Sequence, residues 1–134
     1  HKKKLKVTMR LKLIDNFLVE KNSFIFESVE KGKIKGRYTI FGKNPDKIWE
    51  FNNKKSYLIR NNKKIRLKGR PDLLIEKIIE EFKFDTPKNL PKICSLISGY
   101  FSYDAIRYIE NIPNKCKNDL NLPDVRLMRP RTVI

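Results

Sequence analysis

The stretch Asn-Asn-Lys-Lys occurs twice in this chain, at residues 52–55 and 61–64, and it constrains the fold more than any other feature. Segments rich in β-branched and aromatic residues flank each copy. Because asparagine tolerates the left-handed backbone that tight hairpins require, each copy predicts a turn between antiparallel strands. We therefore expect a meander whose three strands lie at 48–51, 57–60 and 65–67.

Other segments of the chain show the periods of strands. Apolar runs and period-two alternation predict strands at 5–13, 24–28, 38–41, 96–101 and after Pro123. The glycine, asparagine and proline of Gly-Lys-Asn-Pro-Asp, at residues 42–46, are expected to end the strand at 38–41.

Helical spacing appears in three places. A short helix is predicted over 13–18. A longer helix is predicted to begin at Pro71, since proline is favoured in the first helical turn. The expected buried face of this longer helix comprises Leu74, Ile75, Ile78, Ile79 and Phe82. A further helix is predicted over 102–110, with Ile106 and Ile109 facing inward. Together the patterns predict one α+β domain over residues 1–134, an antiparallel β-meander sheet with two or three helices.

The formal net charge of +16 raises the possibility of a small basic RNA-binding module. Such a module needs exposed aromatic residues interleaved with lysines, whereas most aromatic residues here occupy predicted core positions. The chain is also rich in lysine, isoleucine and asparagine and contains a single alanine, which is typical of a low-GC genome. We therefore expect no nucleic-acid partner.

Signatures of catalysis, metal binding and membrane insertion are missing from the sequence. No apolar run has the length of a membrane span, and the only histidine, His1, leaves Cys94 and Cys116 without a metal-binding partner. Two unpaired cysteines are typical of a reduced, cytoplasmic protein, which is the expected location. Glu80 and Glu81 are adjacent carboxylates that we expect on the solvent side of the helix. We therefore predict no catalytic residue, no metal site and no membrane association for this chain.

The segment Gly-Tyr-Phe-Ser-Tyr-Asp, residues 99–104, predicts a tightly packed passage from strand to helix. A glycine inside a strand allows close approach of a neighbouring backbone. Ser102 or Asp104 is a candidate N-cap for the helix that follows.

Two long motifs resemble one known family. Residues 23–45, SFIFESVEKGKIKGRYTIFGKNP, are similar to the Ser-Phe-Leu-Leu-Glu-Ser-Val-Glu-x-Gly, Gly-Arg-Tyr-Ser and Ile-Gly-x-x-Pro series in the N-terminal region of anthranilate synthase component I. The second motif, GYFSYDAIRYIENIP at 99–113, is followed by NDLNLPDVRLM and RTVI. The resemblance runs from about Met9 to the end of the chain. Lys31 and Ser102 replace glycines that are common in the family, and the meander is richer in lysine.

This resemblance implies an enzyme system that makes anthranilate and pyruvate from chorismate. A glutamine amidotransferase subunit supplies the ammonia, and magnesium serves as the cofactor. In the family, the chorismate and magnesium ligands belong to a C-terminal catalytic domain that is absent from this sequence. The resemblance therefore implies an incomplete part of a larger α/β sandwich fold, inactive by itself, whose partners are that catalytic domain, the amidotransferase and L-tryptophan as feedback inhibitor.

The family's tryptophan site is centred on the segment that corresponds to Ile25-Phe26-Glu27-Ser28. A zwitterionic amino acid needs hydrogen-bond acceptors, donors and an apolar slot. Strand alternation places Phe24, Phe26 and Ser28 on one face and Glu27 on the other. We therefore rank Ser28 first as a tryptophan-binding residue and Glu27 second, as a candidate ion-pair partner of Arg37.

Two further expectations follow from the residues. The chain begins without methionine and stops in an apolar run at 132–134, so we expect a piece of a longer protein. The related para-aminobenzoate synthases and other chorismate-using relatives share the Gly-Tyr-Phe block and remain the alternative, although Glu-Ser-Val-Glu at 27–30 fits the anthranilate branch better.

Overall fold

The computed structural model describes residues 20–27, 39–52, 55–83, 85–90, 92–113 and 120–134. The expected strand at 5–13 and the short helix at 13–18 lie outside these residues. So does Cys116. The chain divides into two compact units, which we call the terminal unit (His1–Pro45 with Pro130–Ile134) and the central unit (Asp46–Arg129).

The described part of the chain contains six strands and one α-helix. The strands are β1 (Phe24–Glu27), β2 (Thr39–Asn52), β3 (Lys55–Arg60), β4 (Lys63–Leu67), β5 (Ser98–Phe101) and β6 (Val125–Val133). The helix, α1, comprises Pro71–Glu80, and two 3₁₀ helices span Lys92–Cys94 and Tyr103–Tyr108. The strand order is β4-β3-β2-β6-β5, and β1 also pairs with β2. The expected α+β class with an antiparallel meander is confirmed.

The meander forms as the Asn-Asn-Lys-Lys copies predict. β2, β3 and β4 are consecutive antiparallel neighbours, with Trp49 opposite Leu58 and Leu58 opposite Ile65. In the second turn Asn61 has φ 49° and Asn62 has φ 58°, both in the left-handed region. Asparagine is therefore the residue that lets this turn close within two positions.

One face of the meander forms the core of the central unit. Trp49 and Phe51 of β2 pack with Val125 and Leu127 of β6 and with Ile78 of α1. Phe51 and Val125 have no exposed surface at all. The Trp49 ring meets Phe82, beyond the end of α1, edge to face at 6.2 Å between ring centroids. These contacts hold α1 against the sheet.

Two expectations about inward-facing isoleucines are wrong. On α1, Ile78 is buried, while Leu74, Ile75 and Phe82 pack partly against the core as predicted. Ile79, however, is 46% exposed. Residues 103–108 form a 3₁₀ helix, in which side chains three residues apart align, and the row that meets the core contains Ala105 and Tyr108. Ile109 belongs to the next row and is 80% exposed.

The predicted end of the second strand at 42–46 is also wrong, because β2 continues through this segment to Asn52. Gly42 lies opposite Phe24 of β1, and a side chain at Gly42 would overlap the Phe24 ring. The glycine therefore provides room for an aromatic ring and does not mark a turn. Asn44, just before Pro45, has a φ of 53°, in the left-handed region that asparagine tolerates.

Gly99 fits the expectation of close backbone approach. It lies opposite Leu127 in the β5–β6 pair, and a Cβ atom at this position would overlap the carbonyl oxygen of Arg126. The expected N-cap is not formed, since Ser102 makes no side-chain capping hydrogen bond and Asp104 instead accepts one from Arg107 Nε at 2.9 Å.

Candidate functional site

The candidate tryptophan-binding strand, β1, presents an aromatic pair on one face. The ring centroids of Phe24 and Phe26 lie 5.0 Å apart with a 40° angle between the ring planes. Phe26 is 48% exposed. The predicted alternation of this strand is therefore confirmed for these two residues, and the pair offers an apolar, aromatic surface of the kind that an indole ring contacts.

Pairing with β2 holds β1 in place within the terminal unit. Phe24 lies opposite Gly42 and Glu27 lies opposite Thr39 in an antiparallel register. Just before β1, Glu20 forms an ion pair with Lys43 of β2 at 2.8 Å, and Ser23 Oγ donates a hydrogen bond to the Glu20 carbonyl oxygen. The strand is therefore fixed at its start by charge and along its length by the backbone ladder.

Of the three residues predicted to bind or support tryptophan, the structure places one. Glu27 is exposed at the last position of β1. Ser28 and Arg37 lie outside the described residues, so their roles stay predictions. The Glu27–Arg37 ion pair stays a prediction for the same reason.

The sequence analysis missed a set of charged pairs in the central unit. Arg129 of β6 donates two hydrogen bonds to Asp46 of β2, one from Nε to Oδ1 at 2.7 Å and one from Nη2 to Oδ2. Glu50 accepts from Lys64 Nζ at 2.8 Å and from Arg126 Nε at 3.3 Å. Arg129 lies 83 residues after Asp46, and Arg126 lies 76 residues after Glu50. No local spacing in the sequence could therefore have revealed these pairs.

These contacts shift the pKa values of the carboxyl groups. The hydrogen bond from Arg129 is the main cause that holds the pKa of Asp46 below its usual range. Burial raises the pKa of Glu50, but the hydrogen bonds from Lys64 and Arg126 outweigh it and the net pKa is lowered. Burial raises the pKa of Tyr108, as does its hydrogen bond to Asp124 at 2.6 Å, so this phenol stays protonated.

The Asp46–Arg129 pair predicts acid sensitivity. A carboxyl whose pKa is lowered by folding stabilises the native state above its unfolded pKa, ordinarily 3.8, and loses that contribution as the pH falls through the lower native value. Because both side chains are about one third exposed, we expect no more than about 1 kcal/mol from the pair.

The measurement compares the free energy of unfolding of the wild type and Asp46→Asn at pH 6 and at pH 3. We expect the variant to be less stable at pH 6 and the stability gap between the two proteins to be smaller at pH 3. Asp85→Asn, in an exposed loop, is the control and should match the wild type at both values. A stability gap that is the same at both pH values would contradict the assignment.

The described residues contain no group of three or more His, Cys, Asp or Glu side chains that could hold a metal ion. These residues do not fit a magnesium ion, and the resemblance places the ligands of that ion in the C-terminal catalytic domain. Within the same residues, no helix is long and apolar enough to cross a membrane.

Comparison with known proteins decides the family. No family profile matches the chain. It is 36% identical over 132 residues to anthranilate synthase component 1 of Cereibacter sphaeroides, a match that covers 95% of this chain and 26% of the relative. It is 40% identical over 106 residues to component 1 of Acetivibrio thermocellus, covering 78% of this chain and 22% of the relative. The chain belongs to the anthranilate synthase component 1 family.

The family match extends to plants and concerns one part of the relatives. Anthranilate synthase alpha subunit 2 of Arabidopsis thaliana is 33% identical over 116 residues, covering 78% of this chain and 19% of the relative. The chain spans about a quarter of the length of the component 1 relatives it matches, consistent with their N-terminal region. The relatives named here are all anthranilate synthases, which does not favour the para-aminobenzoate synthase alternative.

Proposed function

We propose that this chain is the N-terminal, tryptophan-sensing part of an anthranilate synthase large subunit of the cytoplasm, and that residues 1–134 act as one domain of it. The observation that carries the proposal is the match over 95% of the chain to component 1 of Cereibacter sphaeroides. The complete enzyme would be a lyase of tryptophan biosynthesis that converts chorismate and glutamine, or ammonia, to anthranilate and pyruvate.

The other parts of that system would bind outside the described residues. Magnesium and chorismate belong to the catalytic part of the longer protein, and a glutamine amidotransferase subunit would deliver ammonia there. The component number in the relatives' names is consistent with a protein that works with a second component.

Tryptophan is the ligand proposed for this chain itself. The aromatic pair of Phe24 and Phe26 supports an indole slot on one face of β1. Ser28, one residue beyond β1, would supply a hydroxyl that hydrogen-bonds to the charged end of the amino acid. Glu27 would act indirectly, by pairing with Arg37.

The proposal is tested by activity measured in two proteins. The 134-residue chain alone is expected to form no anthranilate from chorismate, with either glutamine or ammonia. A chimera is expected to form it with ammonia. In this chimera, residues 1–134 replace the region of Cereibacter sphaeroides component 1 with which this chain aligns over 132 residues. Turnover by the isolated chain, or a folded chimera without activity, would contradict the proposal.

A further inference from the structure

An apolar groove of about 500 Å³ lies in the central unit between α1 and the 3₁₀ helix Tyr103–Tyr108. We call it the α1 groove. Four large apolar side chains that line it are exposed: Ile79 by 46%, Phe101 by 58%, Tyr103 by 87% and Ile109 by 80%. Soluble proteins rarely leave a contiguous apolar surface open unless another molecule or segment covers it. Ile79 and Ile109, which the sequence analysis expected to face the core, instead line this groove.

One edge of the groove is acidic, which is unusual in a chain of net charge +16. Asp72, Glu76 and Glu80 line it and follow one another at intervals of four residues, so they form a row along one side of α1. Arg70 engages Asp72 at 2.5 Å. Glu76 and Glu80 are exposed, and among the described residues that line the groove the only basic one is Lys83. The groove therefore favours an occupant with an apolar side and a basic edge.

The distribution of polar groups argues for a helix and against a small ligand. Pockets for small molecules place a few polar groups where they converge on the ligand. Here the three carboxylates come from one side of α1, while most other lining side chains, among them Ile75, Ile79, Phe101 and Val125, are apolar. An amphipathic helix fits such a groove with side chains at positions i, i+3, i+4 and i+7.

We propose that the α1 groove binds an amphipathic helix with lysine or arginine along one edge, contributed by the remainder of a full-length component 1 chain. This inference rests on the proposed function. The relatives are about four times as long as the region matched, so each holds a large further stretch of polypeptide. A mainly apolar lining is typical of permanent interfaces, whereas partners that exchange meet on more polar surfaces.

Photocross-linking in the chimera tests this directly. Ile79 is replaced by the photoreactive amino acid p-benzoylphenylalanine, and the cross-linked peptides are identified by mass spectrometry. We expect capture of a segment outside residues 1–134 of the same molecule, with apolar residues at helical spacing and a lysine or arginine edge. Ile109, which is 80% exposed, is the second position, for use if the first variant does not fold.

Leu73 provides the matched control, since it lies on the same helix, is 53% exposed and does not line the groove. The photoreactive residue at position 73 should not capture that segment. The inference is overturned by no cross-link from positions 79 and 109, by capture of another copy, or by capture of a segment without a basic edge. A chimera that makes anthranilate yet gives any of these results refutes the groove assignment alone and leaves the proposed function standing.

Discussion

Replacing Ser28 by phenylalanine in the chimera is expected to weaken inhibition by tryptophan about ten- to a hundredfold. The substitution removes a hydroxyl that would bond to a charged group, and such a bond contributes roughly 1.5–3 kcal/mol, with about 1.4 kcal/mol per tenfold change in affinity. It also introduces a bulky ring two residues after the Phe24–Phe26 pair along the sequence. Because chorismate would bind elsewhere in the protein, the uninhibited rate should change much less.

The measurement is the tryptophan inhibition curve at matched chorismate, for the unsubstituted chimera and for the variant. Ser23→Phe is the control, since it makes the same substitution five residues earlier, where the Ser23 hydroxyl bonds only to the Glu20 carbonyl among the contacts described. Glu27→Ala should weaken inhibition less than Ser28→Phe if Glu27 acts through Arg37. Superimposable curves for Ser28→Phe and the unsubstituted chimera would remove Ser28 from the site.

The largest stability effect is expected at Phe51. Its side chain is fully buried among Trp49, Val125 and Ile78, so truncation leaves a cavity that the surrounding strands and helix cannot fill. Phe51→Ala should therefore lower the free energy of unfolding of the 134-residue chain by about 3–5 kcal/mol. Urea denaturation followed by tryptophan fluorescence measures the change, because Trp49 lies in the same cluster.

Phe101→Ala is the matched control for this experiment. Phe101 belongs to the same unit but is 58% exposed in the 134-residue chain, so its truncation should cost less than about 1 kcal/mol. Equal losses for the two variants would show that the cluster around Phe51 is not the core of this unit.

The elements that the sequence predicted well depend on local chemistry. Two examples are the left-handed backbone of Asn61 and Asn62 and the start of α1 at Pro71. Each is determined by a few neighbouring residues. The phenylalanines of β1 lie on a common face because strand geometry alternates with every residue. Such features require no knowledge of which distant segment packs on them.

The predictions that failed depend on distant segments. Gly42 was expected to end its strand, whereas it makes room for the Phe24 ring on the neighbouring strand. Ile79 and Ile109 have helical spacing, but they are 46% and 80% exposed, and no local pattern distinguishes a buried row from an open one. The Asp46–Arg129 pair joins residues 83 positions apart, so it emerges only when β2 and β6 are in place.

The rate of anthranilate formation by the chimera, measured with ammonia over a range of tryptophan concentrations, tests the central claim most directly. The account predicts that the chimera forms anthranilate from chorismate and that the rate falls as tryptophan is added. It also predicts that Ser28→Phe shifts this curve to higher tryptophan while Ser23→Phe does not. A chimera whose rate is the same at every tryptophan concentration would contradict the assignment of residues 1–134 as a tryptophan-sensing region.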